Sequence, residues 1–183
     1  MDSESAAISK TAASGALRGV ISGHPTTSPI RLLQSDDREA IWQLLSNTGM
    51  FSEEEVQIAL ELVDAFLTRP DQRDYVIYVY QADRVLGYYC IGPTPATIGT
   101  FDLYWIAVDP SAQGRGIGAA LQSHAEGLVR SLGGRLILAE TSSQAKYKNT
   151  RKFYLHQGYA QVSRIRGYYS PDDDLVVFGK YLT

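Results

Sequence analysis

The chain has 183 residues, which is enough for one domain of ordinary size and too few for two. Its formal net charge is −3, so it lacks the excess of positive charge on which sequence-independent nucleic-acid binding depends. No apolar run approaches the roughly 18 residues of a membrane-spanning helix, so we expect a soluble protein with neither nucleic acid nor membrane as a partner.

The single cysteine excludes an internal disulfide. Cys90 is flanked by Tyr88, Tyr89 and Ile91, so we interpret it as a small buried hydrophobe and not as a nucleophile. A lone thiol fits a reducing compartment, and we therefore expect a cytoplasmic protein.

Residues 1–28 are rich in Ala, Ser, Thr and Gly and show neither helical nor strand periodicity. We interpret them as a flexible tail ahead of one domain at 29–183. Asp2 and Glu4 argue against a secretory signal, whereas the Ser/Ala bias leaves an organellar transit peptide open.

The domain begins with a predicted strand and two predicted helices. The strand covers 30–34, and Ser35 or Asp36 is the expected N-cap of the first helix. Ser52 and Glu55 have the spacing of a capping box, which predicts the start of the second helix.

The rest of the chain predicts a mixed sheet. Its elements are a hairpin turning at 82–84, a strand at 100–108, a helix at 116–132, a strand at 135–140, a short helix at 150–157 capped by Asn149, and strands at 159–169 and 175–182. Only the strands at 100–108 and 135–140 are joined by a parallel crossover. We therefore predict an α+β fold, a three-layer α/β arrangement in which helices cover both faces of a mixed, mostly antiparallel sheet.

A glycine-rich stretch, "VDPSAQGRGIGAAL", joins the strand at 100–108 to the following helix. Glycines at 114, 116 and 118 let successive backbone N–H groups turn toward an anion, and the helix start adds partial positive charge. Arg115 is either a counter-charge to that anion or a solvated loop residue. The stretch therefore predicts a pyrophosphate-binding loop; a turn that only starts a helix would need one glycine.

The same residues also satisfy the dinucleotide pattern G-x-G-x-x-G/A through Gly114, Gly116 and Ala119. That interpretation is disfavoured because five residues, including Pro110, separate the strand from the first glycine. Too few residues follow Glu140 for the remaining βαβ units of such a domain, and no Gly-Lys-Ser/Thr follows to make a P-loop.

The stretch resembles the Q/R-x-x-G-x-G/A signature of the GNAT (GCN5-related N-acetyltransferase) superfamily, with Gln113, Gly116 and Gly118 in the signature positions. "TRKFYLHQGY", at 150–159, is similar to the second family motif, and the resemblance covers about 30–183. It implies a GNAT-like acyl-CoA N-acyltransferase fold and transfer of acetyl from acetyl-CoA to a primary amine by direct attack on the thioester.

The resemblance also implies a cofactor site. The strand before the loop splays from its neighbour, which leaves backbone groups of Ile106 and Val108 for the pantetheine arm. The implied acetyl-CoA-binding residues are Ile106, Ala107, Val108, Gln113, Gly114, Arg115, Gly116, Ile117, Gly118 and Ala119.

An amine must lose a proton before it attacks, and the departing thiolate must gain one. Tyr154 matches the tyrosine of the family motif and is the expected acid, with Phe153 facing the core. Glu140, expected to be half-buried at the carboxyl end of its strand with a raised pKa, is the candidate base. Asp102 and Tyr104 on the neighbouring strand are the alternatives.

One position departs from the family. Many members have an asparagine seven residues before the acid tyrosine, where this chain has Tyr147, and we assign a cofactor role neither to Tyr147 nor to Asn149. His24, His124 and His156 are expected at surface or packing positions, and no spacing of ligand residues suggests a metal.

The acceptor amine stays open. We favour a small molecule; the alternative is a protein N-terminus or lysine, because "RIRGYY" resembles members that acetylate protein N-termini. "SPDDDL" and the acidic start of the second helix predict either an acidic rim suited to a cation or ordinary solvated turns. A non-catalytic acyl-CoA-binding module and a homodimer are also left open.

Overall fold

The computed structural model describes residues 28–182. The expectations for the tail at 1–28, apart from Ser28, and for His24 lie outside the described residues. Among the helices of the described part of the chain, none is long and apolar enough to cross a membrane.

The described residues form seven strands and four α-helices. The strands are β1 (Ile30–Leu32), β2 (Val76–Gln81), β3 (Val85–Pro93), β4 (Thr100–Val108), β5 (Leu136–Ser142), β6 (Ala160–Ser170) and β7 (Asp173–Tyr181). The α-helices are α1 (Arg38–Thr48), α2 (Glu53–Thr68), α3 (Ile117–Ser131) and α4 (Lys148–His156). Short 3-10 turns at Ser35–Asp37, Pro110–Ala112 and Ala145–Tyr147 precede α1, α3 and α4.

All seven strands belong to one sheet, in the order β1-β2-β3-β4-β5-β7-β6. Every neighbouring pair is antiparallel except β4 and β5, which are parallel and joined through α3. The predicted α+β class and mixed, mostly antiparallel sheet are confirmed. Both α1 and α3 pack against β3 and β4.

The parallel pair separates halfway along. Thr100 to Leu103 of β4 pair with Leu136 to Ala139 of β5, and no pairing continues beyond. On its other side β4 carries a β-bulge, because Cys90 and Ile91 of β3 face Trp105 and Leu103, which leaves Tyr104 extra. A bulge bends and twists its strand. The carboxyl ends of β4 and β5 therefore enclose an open gap.

Cys90 is buried within the central strands at 1% exposure, and burial raises the pKa of its thiol. The expectation of an unreactive, small core residue is confirmed. Its neighbours Tyr88 and Tyr89 are equally buried, and the Tyr89 hydroxyl is hydrogen-bonded to Nδ1 of His124 on α3 at 2.7 Å. His124 is therefore a packing residue, as expected.

The capping box of α2 is confirmed. The Ser52 N–H donates to the Glu55 carboxylate at 2.7 Å, and the Glu55 N–H donates to the Ser52 hydroxyl at 3.2 Å. These bonds hold two N–H groups that a helix start otherwise leaves unsatisfied. They also fix Glu55 at the start of the helix.

The expected caps of the other two helices are wrong. Ser35 and Asp36 lie inside the 3-10 turn before α1, and Asp37 accepts the Gln34 N–H at 2.8 Å instead. Helix α4 begins at Lys148, one residue before Asn149, because the preceding 3-10 turn continues directly into the helix. Asn149 is therefore in the first turn, where its side chain is available for another contact.

Candidate active site

The loop between β4 and α3 is anchored at Asp109. Its buried carboxylate accepts Arg84 Nη1 at 2.7 Å and both the N–H and hydroxyl of Ser111, at 2.8 and 2.5 Å. These bonds hold the pKa of the Asp109 carboxyl well below its usual range. From the sequence, Asp109 was only the end of a strand; its role depends on Arg84, 25 positions earlier in the hairpin.

The loop then turns through two left-handed glycines. Gly114 has φ +75° and Gly116 has φ +80°, a region that side chains rarely adopt. Gly116 occupies the N-cap position of α3, and within residues 28–182 no side chain caps the helix, so its first N–H groups have no side-chain partner there. The predicted anion-binding geometry requires such free donors.

Gly118 is needed for a different reason. A Cβ at this position would lie 3.3 Å from Cε2 of Phe153 and 3.7 Å from Cγ2 of Val108. The missing side chain therefore leaves space between α3 and α4. Phe153, which was expected to face the core, is partly buried and packs against the core, and its ring also lies beside Gly118.

A groove of about 390 Å³ runs along the loop. Nine of the ten expected acetyl-CoA-binding residues line it, namely Ile106, Ala107, Val108, Gln113, Gly114, Gly116, Ile117, Gly118 and Ala119. Arg115 is exposed and is not part of this lining. The opposite wall consists of Asn149, Thr150, Phe153 and Gln157 on α4, of which Phe153 and Gln157 had no expected place in the site.

The edge of β4 faces this groove with free backbone groups. The Asp109 N–H donates to Leu86 O of β3, so the alternation of an antiparallel ladder directs the Ile106 and Val108 groups to the other side. On that side β5 has already separated, and the Gln113 side chain donates to Val108 O at 3.3 Å. Ile106 and Val108 thus present to an extended ligand a strand edge that β5 does not pair, with the Val108 carbonyl held by Gln113.

A larger cavity, of about 510 Å³, adjoins the groove at the gap between β4 and β5. Glu140, Tyr154 and Tyr104 all line it, so the structure brings the expected acid, the expected base and one alternative base to the same space. Asp102 is not part of the lining. The cavity and the groove share Ile106, Val108 and Thr150 among others, so the two spaces are continuous.

Glu140 was expected to be half-buried, but its side chain is exposed to the cavity. The cavity walls still remove part of its hydration, and this burial, together with the negative charge of Asp102, raises the pKa of its carboxyl. Asp102 acts from β4, where it pairs in register with Leu138, two residues before Glu140. Burial and Asp102 also raise the pKa of Tyr104 to about 12, so Tyr104 is the weaker candidate base.

Tyr154 is 4% exposed and packs among aromatic rings. Its ring stacks on Phe178 at 5.4 Å and is tilted against Tyr159 at 5.6 Å. A tyrosine hydroxyl is protonated at neutral pH, and burial raises the pKa of the Tyr154 hydroxyl further, which makes it a weaker acid than a free tyrosine. The protonated state is the one an acid requires.

The acidic hairpin between β6 and β7 is largely structural. Asp173 is buried and accepts the Ser142 hydroxyl at 2.5 Å and Gln144 Nε2 at 3.0 Å, and Asp174 forms an ion pair with Arg164. The Asp173 carboxylate therefore holds the hairpin onto the end of β5 and the following loop, whereas the Asp174 carboxylate bonds within the hairpin. Tyr169, from the same hairpin, lines the cavity.

Within residues 28–182, no group of three or more His, Cys, Asp or Glu side chains could hold a metal ion. His156 ends α4 at the surface and does not line the groove or the cavity. The residues that can bind a ligand are the glycine loop, the free edge of β4 and the cavity beside it.

The fold and this paired groove and cavity define an acyl-CoA N-acyltransferase. The model of the GNAT acetyltransferase domain matches residues 72–161. A crystal structure of a Desulfovibrio desulfuricans protein assigned to the GNAT family has 38% identity and a TM-score of 0.81, covering 84% of this chain and 98% of that one. No curated protein matches the sequence.

More distant structures share the fold. An aminoglycoside 6'-N-acetyltransferase complexed with coenzyme A has 17% identity and a TM-score of 0.66, over 84% of this chain and 97% of that one. The Escherichia coli ribosomal-protein-S18-alanine N-acetyltransferase has 16% identity and a TM-score of 0.66, over 84% and 93%.

This chain belongs to the GNAT acetyltransferase family. The expected family, fold, enzyme class and acetyl-CoA cosubstrate are confirmed.

Proposed function

We propose that this protein transfers the acetyl group of acetyl-CoA to the primary amine of a small molecule, with Glu140 as base and Tyr154 as acid. The observation that carries this proposal is the cavity at the gap between β4 and β5, because it places both side chains beside the groove of the glycine loop. Positioning two reactants side by side lowers the barrier substantially.

The roles of Glu140 and Tyr154 follow from the protonation states that a base and an acid require. Glu140 takes a proton from the incoming ammonium group, directly or through water, and the neutral nitrogen forms a bond to the thioester carbonyl carbon. The carbon–sulfur bond breaks and the sulfur takes the proton of Tyr154. The proton that the acylated nitrogen releases restores the Tyr154 hydroxyl through solvent, and Glu140 returns its proton to solvent.

The groove residues fit the coenzyme. The two left-handed glycines expose N–H groups at the start of α3 for a pyrophosphate, and the edge of β4 supplies donors and acceptors for the amide-containing arm. An amide of that edge also suits the thioester oxygen as negative charge develops on it. We extend this site to Asn149, whose place in the groove follows from the early start of α4.

A small acceptor is favoured because hydrogen bonds join two distant segments of the cavity wall. The carbonyl of Met50, in the connection between α1 and α2, accepts the Lys146 ammonium at 2.8 Å and the Tyr147 hydroxyl at 3.2 Å. A peptide N-terminus is the second candidate, because exposed Tyr168 and Tyr169 on the hairpin offer a surface beside the cavity.

The test is calorimetric titration with acetyl-CoA, followed by thiol release with small amines and short peptides. We expect acetyl-CoA binding and thiol release with small amines. Binding without release from any acceptor would contradict the proposed transfer, and release with peptides alone would contradict a small-molecule acceptor.

Tyr154→Phe tests the acid. Phenylalanine preserves the aromatic packing, so we expect acetyl-CoA to bind unchanged while kcat falls by about 10²- to 10⁴-fold. Tyr181→Phe, which alters an exposed tyrosine of β7 outside the groove and the cavity, is the matched control and should retain full activity. Equal kcat values for the two variants would remove Tyr154 from the mechanism.

A further inference from the structure

The cavity that Glu140 lines has a second group of side chains. Glu55 from the first turn of α2, Tyr147 from the turn before α4 and Tyr169 from β6 also line it. Burial, followed by the charges of Glu55 and Asp173, raises the pKa of Tyr147 to about 12. Burial and the charges of Glu140, Asp173 and Glu55 also raise the pKa of Tyr169. Both phenols are therefore electrostatically close to the same carboxylates.

The cavity has an excess of negative charge. Its lining includes the carboxylates of Glu55, Glu140 and Asp173 and a single cation, Lys146, so its formal net charge is −2. Within residues 28–182, none of the three carboxylates forms an ion pair. Lys146 is itself held by the Met50 carbonyl.

The three carboxylates differ in what they offer a ligand. The Asp173 carboxylate already accepts hydrogen bonds from Ser142 and Gln144, so it contributes only its negative charge to the cavity. In Glu55, Oε2 accepts the Ser52 N–H, which fixes the side chain, while Oε1 forms no hydrogen bond within the described residues. Glu55 is thus an oriented carboxylate with one oxygen open to the cavity.

A monoamine leaves this part of the site without a partner. The reacting amine must be neutral when it attacks, so its positive charge is lost at Glu140. The Lys146 ammonium already lies 5.0 Å from the centre of the Tyr147 ring, so the charge of Glu55 and the ring of Tyr169 are left for another group. A carboxylate beside aromatic rings is the environment that a substituted or primary ammonium prefers.

Resting on the proposed function, we infer that the acceptor is a dication. Its reacting amine lies at Glu140, and its second cationic group is held between Glu55 and the ring of Tyr169. Glu55 therefore determines specificity and does not take part in the chemistry.

The test compares diamines from 1,3-diaminopropane to 1,6-diaminohexane with n-alkylamines of equal heavy-atom number. The wild-type enzyme should prefer at least one diamine by 10-fold or more in kcat/KM. Ala-Arg amide against Ala-norleucine amide makes the same comparison for a peptide source of the second charge.

Glu55→Gln is the informative variant, because glutamine preserves the acceptor of the capping box while removing the charge. We expect the ratio of diamine to monoamine kcat/KM to fall toward one, mainly through KM. Glu54→Gln, an exposed neighbour outside the cavity lining, should leave this ratio unchanged. Calorimetric binding of the diamine to the enzyme–CoA complex should weaken in Glu55→Gln alone.

The outcomes separate the two proposals. Equal use of monoamines and diamines, or a full diamine preference in Glu55→Gln, would overturn the dication inference while leaving a small-molecule acetyltransferase intact. A wild-type enzyme that acetylates no amine in either series and no peptide would overturn both. If the enzyme prefers Ala-Arg amide and acetylates no diamine, the inference of a second cationic group stands, but the proposed small-molecule acceptor is wrong.

Discussion

Two glycines of α3 allow the effect of an added methyl group on the groove to be measured separately from its effect on helix stability. Gly118 and Gly127 lie on the same helix, and a Cβ at Gly127 would meet nothing within 4 Å, whereas one at Gly118 would lie 3.3 Å from Phe153. Neither has the left-handed backbone that opposes alanine. Alanine at each position therefore tests whether the gap beside Gly118 is there for the ligand.

The expected magnitudes differ in stability and in binding. Gly127→Ala gains helix propensity, about 1 kcal/mol in an exposed helix interior, and should raise the Tm by about 2–4 °C. Gly118→Ala gains less, because it lies in the first turn and its methyl must displace Phe153. That methyl occupies the groove where N–H groups should approach a pyrophosphate. Losing one charge-assisted hydrogen bond, about 1.5–3 kcal/mol, weakens acetyl-CoA binding by about 10- to 150-fold.

Thermal unfolding and calorimetric titration with acetyl-CoA measure both effects on the same samples. We expect Gly127→Ala to be more stable than the wild type with an unchanged Kd, and Gly118→Ala to have a nearly unchanged Tm with a raised Kd. A Gly118→Ala protein that binds acetyl-CoA as tightly as the wild type would refute the assignment of this gap to the coenzyme.

Two further predictions concern carboxylates. Glu140→Gln should lower kcat/KM by about 10²- to 10⁴-fold without changing the Kd of acetyl-CoA. Because the base must be ionised, wild-type activity should fall as the pH drops through the raised pKa of Glu140. The pH profile of the variant should lack this fall. Asp109→Asn should cost about 1–3 kcal/mol at pH 7, measured by urea unfolding. Its folded-state pKa lies below the unfolded value of about 3.9, so the stabilisation by Arg84 is complete above that pH and is lost as the pH falls. An Asp109→Asn deficit that is the same at pH 3 and pH 7 would assign the effect to packing.

The sequence predicts most of the fold because its local signals agree with the final contacts. The Ser52 capping box, the hairpin turning at 82–84 and the helix ending before Gly133 depend on residues close in the chain, and each is found. The predicted cap at Asn149 is wrong because the start of α4 depends on a contact between residues distant in the chain. A 3-10 turn whose Lys146 is bonded to Met50, 96 residues away, leads directly into α4, which begins at Lys148, two residues before the predicted start at 150.

The site shows the same division between local and distant causes. Glycine spacing alone predicts the loop, because positive φ values are a property of the residue itself. The separation of β4 from β5 has no such signal: it depends on the bulge that Tyr104 makes against β3 and on which strand pairs with β5. The partial burial of Glu140 and the charge of Asp102 beside it follow from that separation, and so does the cavity in which Glu55 and Glu140 meet. The kind of chemistry that each residue can perform is thus predictable from its residue type. The neighbouring group that shifts its pKa depends instead on the register of the sheet.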